Sequence, residues 1–93
     1  MRARRVDSNH SQIIATFRRC GFSCLDLSRV GCGCPDICLA KHGKTMLVEI
    51  KDGSKPPSAR QLTPDEFRFH ASWGGTVIII NSVDEALLLV QRW

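Results

Sequence analysis

Pro35-Asp36-Ile37-Cys38-Leu39-Ala40-Lys41-His42-Gly43-Lys44-Thr45-Met46-Leu47-Val48-Glu49-Ile50-Lys51 is the stretch that decides the fold. Two short runs suited to strands, Asp36 to Ala40 and Thr45 to Lys51, flank Lys41-His42-Gly43-Lys44, a natural turn. If the hairpin turns symmetrically about the His42-Gly43 bond, through a two-residue or a four-residue loop, residues whose numbers sum to 85 face each other. Asp36 then lies opposite Glu49. Strand side chains alternate with period two, so Lys51 shares the face of Glu49, about 6.7 Å farther along. Like charges facing each other destabilise a sheet, and a compensating group is therefore expected. A hard divalent cation supplies that compensation, because Mg²⁺ takes one or two carboxylates and fills its shell with water and phosphate.

Working outward, Ile13, Ile14, Phe17 and Cys20 form one apolar stripe, predicting a helix from about Ser8 to Cys20 with Asp7 or Ser8 as cap and Gly21 as stop. Phe22 to Ser28 reads as a first strand. Val30-Gly31-Cys32-Gly33-Cys34-Pro35 breaks regular structure just before Asp36. Asp52 to Leu62, rich in Gly, Ser and Pro, reads as a mobile basic loop. Thr63-Pro64-Asp65-Glu66 is a capping box with proline at the first helical position. Its helix is expected to carry Phe67 and His70 or Ala71 inward and to end at Trp73-Gly74-Gly75. Thr76 to Ile80 is a β-branched run, predicting a strand buried on both faces. Ser82-Val83-Asp84-Glu85 is a second capping box, opening a last helix through Leu87, Leu88, Val90 and Trp93. The predicted order is αβββαβα, an α/β fold in which a mixed sheet is flanked by helices, in one domain over 1–93.

Ninety-three residues suffice for one modest core. The net charge of +4 gives weak support for a polyanionic partner. Met-Arg-Ala-Arg-Arg is followed by polar residues, unlike a secretory signal, and no apolar run is long enough to span a membrane. A cytoplasmic protein is expected. Five cysteines, an odd number, fit reduced thiols. Cys32, Cys34, Cys38 and His42, with Cys20 or Cys24, are ligand types that suit zinc, but no C-x-x-C knuckle is present. Small buried thiols are the default reading.

Gly33-Cys34-Pro35-Asp36 resembles the G-x-P-D element of the PD-(D/E)xK nuclease superfamily, and Glu49-Ile50-Lys51 resembles its E-x-K. The order of helices and strands agrees. Leu47 to Lys51, then Leu62 to Glu66, then Gly75 and the strand leading to Ser82 through Leu87 are similar to the VRR-NUC family of small stand-alone nucleases of phages and bacteria. The resemblance covers nearly the whole chain, and the joint order and spacing of its short motifs are the specific part.

The resemblance implies a restriction-endonuclease-like fold and a Mg²⁺-dependent endodeoxyribonuclease, with Mn²⁺ able to substitute. It implies a homodimer similar to Holliday-junction resolvases, acting on branched DNA. By carry-over, Asp36, Glu49 and the backbone carbonyl of Ile50 hold the metal, and Lys51 takes the place of the catalytic lysine. Two positions depart from the family's pattern. Gln12 stands where a first-helix acid is usual, and Glu66 stands where glutamine is frequent. Gln12, His10 and Asn9 are auxiliary candidates, while Lys55, Arg60, Arg68 and the amino-terminal arginines are candidates for DNA phosphate contact. His70 is read as a helix residue without catalytic duty, and Trp73 and Trp93 as core or dimer anchors. A lysine acting as general base at neutral pH must lose its proton about 3 pH units below its ordinary range, costing about 4 kcal/mol. An ammonium that orients the attacking hydroxide is the less demanding role. The alternative to an enzyme is a non-catalytic nucleic-acid-binding module that retains the nuclease fold.

Overall fold

A computed structural model describes residues 7–93. The elements are α1 (His10–Arg19), β1 (Ser23–Asp26), β2 (Ile37–Lys41), β3 (Lys44–Ile50), a 3-10 turn (Pro57–Ala59), α2 (Pro64–Ser72), β4 (Val77–Ile80) and α3 (Val83–Arg92). This is the expected α/β arrangement of one four-stranded sheet, ordered β1-β2-β3-β4, with flanking helices. The first two pairings are antiparallel, and β3 with β4 is parallel. Among the described residues no helix is long and apolar enough to cross a membrane. The amino-terminal arginines lie outside the described residues.

The β2–β3 hairpin turns through His42 and Gly43, both at positive φ (55° and 76°). That is the combination a two-residue turn needs to match the strand twist. Its ladder runs from Ile37↔Val48 to Lys41↔Lys44, and every pair sums to 85. Alternation then sorts the strands. Ile37, Leu39, Val48 and Ile50 join Ile13, Phe17, Phe22, Ile80 and Ala86 in a single core, on the face covered by α1 and α3. Burying each large apolar side chain is worth about 1.5–3 kcal/mol, so this face supplies most of the fold's stability. Trp93 closes the hairpin end of the core. Its ring packs edge-on to Phe22 at 4.9 Å, its indole N–H donates to the Lys41 carbonyl at 3.0 Å, and Lys44 lies over its face.

Four expectations are corrected. Neither Asp7 nor Ser8 caps α1: Asn9 holds the N-cap position without a side-chain cap bond. Its amide is committed elsewhere, donating to the carbonyls of Lys51 and Asn81 at 3.0 Å each. Phe67 does not point inward and is 65% exposed; Glu66 is the only buried residue of α2. The β4 strand is an edge, not a strand buried on both faces, and Ile79 is exposed. The second capping box is half formed, because Ser82 accepts the Glu85 N–H while the Glu85 carboxylate turns to the N–H and amide of Asn81.

Candidate active site

Continuing the hairpin register by one residue places Asp36 opposite Glu49. The Asp36 carboxylate accepts the Ile50 N–H at 2.7 Å, which ties the residue before β2 to the last residue of β3. Both acids are buried, Asp36 at 4% and Glu49 at 0% exposure. They face the same way: Asp36, Glu49, Ile50, Lys51, Lys55 and Glu66 line one cleft of about 620 Å³. This is the side of the sheet opposite the apolar core.

Lys51 lies just past β3 and has lost most of its water. Its Nζ donates to Glu66 Oε1 at 2.7 Å, with the two side chains 12% and 7% exposed. The same oxygen accepts the Thr63 N–H at 2.9 Å, and Thr63 Oγ1 accepts the Glu66 N–H at 3.2 Å, completing the capping box. One turn farther along α2, His70 places its Nε2 3.5 Å from Glu49 Oε1. Burial pulls the imidazole below its usual range and nearby Lys51 adds to this, while Glu66 pulls it upward. The net direction leaves the ring neutral at neutral pH.

The approach of α2 depends on Gly33. This residue sits at φ 79°, and an added Cβ would lie 2.3 Å from the Asp65 carbonyl oxygen. The loop between β1 and β2 therefore rests directly on the first turn of α2, the turn that carries Glu66. A side chain there would push the helix off the cleft.

The remaining candidates divide by location. Asn9, Gln12 and Arg60 line a neighbouring cleft of about 470 Å³, which shares Asp52 with the acid cleft. Gln12 thus lines the neighbouring cleft and not the one lined by Asp36 and Glu49. Asn9 acts as a staple between strand ends, through the two amide bonds described above. His10 is buried and faces Asp26 at 3.5 Å, in a groove beside Arg18 and Arg19, away from Asp36 and Glu49. Arg60 Nε donates to the Lys55 carbonyl, so the two basic residues of the loop are held together. Arg68 pairs with Asp65 on the exposed side of α2 and lines neither cleft. The five cysteines are thiols. Cys20 and Cys24 pack against the core, and Cys32 is exposed.

Two buried carboxylates with an adjoining backbone carbonyl form a hard-oxygen donor set, which fits Mg²⁺ or Mn²⁺ and not a soft metal. Among the described residues no group of three or more His, Cys, Asp or Glu side chains is disposed to hold a metal. Mg²⁺ binds through as few as one or two carboxylates and fills the rest of its shell with water and phosphate.

Two contributors escaped the sequence reading: Glu66 as the partner of Lys51, and His70 beside Glu49. A signal for His70 was present, since it lies four residues after Glu66 and so shares its helix face. Comparison with protein-family models, curated proteins and solved structures gives no match for this chain.

Proposed function

We propose that this chain is a metal-dependent DNA endonuclease of the PD-(D/E)xK type, similar to the VRR-NUC family. One observation carries the reading: Asp36, just before β2, and Glu49, on β3, line the same cleft as Lys51. Two carboxylates turned into one cleft beside a backbone carbonyl are oxygen donors of the kind a hard divalent cation takes, and such a cation performs chemistry. Asp36, Glu49 and the Ile50 carbonyl would hold the ion. Bound there, it supplies polarisation of the scissile phosphate and activation of water at neutral pH.

The chain's own groups do the rest. Lys51, held in place by Glu66, lines the cleft and offsets negative charge developing on the phosphate oxygens. Lys55 and Arg60, on two adjoining clefts, provide cationic contacts for successive phosphates of a DNA strand. The buried position of Glu49 keeps its carboxylate aimed at one place, with no rotamer search at the moment of reaction. We further propose a homodimer acting on branched DNA such as a Holliday junction, in the cytoplasm.

The test is cleavage of a four-way DNA junction in Mg²⁺ by the wild type and by Glu49→Gln, with linear duplex and single strand in parallel. The wild type is expected to cut, and the variant to lose activity by about 100-fold or more. Equal cutting by both removes Glu49 from the mechanism. Binding to the junction should weaken steeply as salt rises, because phosphate contacts release counterions. A sedimentation mass of one chain, with activity retained, would refute the dimer.

A second reading is a non-catalytic nucleic-acid-binding module. It is favoured by Gln12, an amide where the resemblance leads to an acid, which lies in the neighbouring cleft. Junction binding without cutting in Mg²⁺ or Mn²⁺ is its signature.

A further inference from the structure

The Glu66 carboxylate does two jobs that usually belong to different residues. As the fourth residue of a capping box it accepts the Thr63 N–H, a local bond that starts α2. The same oxygen also receives the Lys51 ammonium from the end of β3, fifteen residues away in sequence. It is the one buried side chain of a helix that is otherwise at least partly exposed. A capping glutamate is ordinarily solvated. Here it is 93% removed from water, a position that is costly for a carboxylate without a cation beside it.

We propose that Glu66 is a positioning residue for Lys51, an inference that rests on the nuclease reading of the cleft. Lysine has a long flexible stem and three donors, and it does not hold one direction unaided. Glu66 fixes the amine at the rim of the acid cleft through the 2.7 Å bond. The cap of α2 and the cationic group of the site are thereby one hydrogen-bonded unit. The Lys51 bond runs to the Glu66 carboxylate and not to the Thr63 hydroxyl, and Gly33 holds the first turn of the helix in place from the other side.

The experiment compares Glu66→Ala, Glu66→Gln, Thr63→Ala, Lys51→Met and the Lys51→Met/Glu66→Ala double variant in the full chain. Two readouts are taken: the Lys51 ammonium signal in ¹⁵N NMR at low temperature, and kcat and KM on a four-way junction with Mg²⁺. Glu66→Ala is expected to lose the sheltered ammonium signal and to lower kcat by about 10- to 100-fold. KM should stay within about threefold, as for a group that acts mainly on the chemical step. Glu66→Gln, whose amide oxygen still accepts both bonds, should recover most of kcat. Thr63→Ala removes the other half of the box, and should lower the melting temperature while keeping the ammonium signal and kcat within about twofold. In the Lys51→Met background, Glu66→Ala should change kcat no further.

Equal loss of kcat in Thr63→Ala and Glu66→Ala would reduce Glu66 to a helix cap and overturn the proposal. So would an unchanged ammonium signal in Glu66→Ala, whether or not the protein turns over. A wild type that shows the sheltered ammonium but cuts no DNA overturns the nuclease reading instead, and the NMR comparison still decides the pairing.

Discussion

The two faces of the sheet are built on opposite principles. On one, Ile37, Leu39, Val48 and Ile50 meet α1 and α3 in a closed apolar core. On the other, Asp36 just before β2 and Glu49 on β3 are presented, and α2 is anchored by a buried glutamate and not by a greasy stripe. A hairpin with period-two alternation makes this division possible, since neighbouring residues serve the core and the cleft without competing for space. The cost falls on the polar face. Its helix is held by an ion pair, a capping box and the close approach of Gly33, each of which depends on exact placement.

Substitutions on the two faces should therefore behave differently. Leu39→Ala, on the core face, should cost about 2–5 kcal/mol in denaturant unfolding, the range for a large side chain deleted from a closed core. A loss under about 1 kcal/mol would mean that this face is less tightly packed than the structure has it. Gly33→Ala should cost about 2–4 kcal/mol, combining a left-handed backbone with a clash against Asp65. Because that clash falls on the first turn of α2, amide exchange should rise along α2 and not in α1 or α3. Uniform loosening of all three helices would break the distinction between the faces.

Thr63→Ala should cost about 1 kcal/mol, the value of one capping side chain. Smallest of all, Arg68→Ala should fall within about 0.5 kcal/mol, because its bond to Asp65 is an exposed surface pair. Glu49→Gln inverts the usual sign. In metal-free buffer it should be neutral or stabilising, since it removes one of two neighbouring buried charges. Marked destabilisation without metal would show that Glu49 is structural.

The hairpin was legible because its signals are local: a His-Gly turn, alternating strands and a register fixed by the turn. The acid pair followed from that register alone. The cap of α2 was legible for the same reason. What lay beyond reach was set by contacts distant in sequence. Nothing near Glu66 says that its carboxylate meets Lys51, and nothing near Asn9 says that its amide is occupied by Lys51 and Asn81. The β-branched run of β4 reads alike at a sheet's edge or in its middle, so its exposure was hidden. Phe67 was assigned inward from its apolarity, whereas the polar face of the sheet draws in Glu66 instead.

The most direct test of the acid pair is calorimetric titration of Mg²⁺ into the wild type and into the Asp36→Asn/Glu49→Gln double variant, without DNA. The expected result is one saturable site in the wild type that is absent from the double variant. It should be accompanied by a wild-type stability gain of about 1.4 kcal/mol when the ion stands at about ten times its Kd. The same binding heat in both proteins, or none in the wild type with either Mg²⁺ or Mn²⁺, would contradict the assignment of Asp36 and Glu49 as the metal-holding pair.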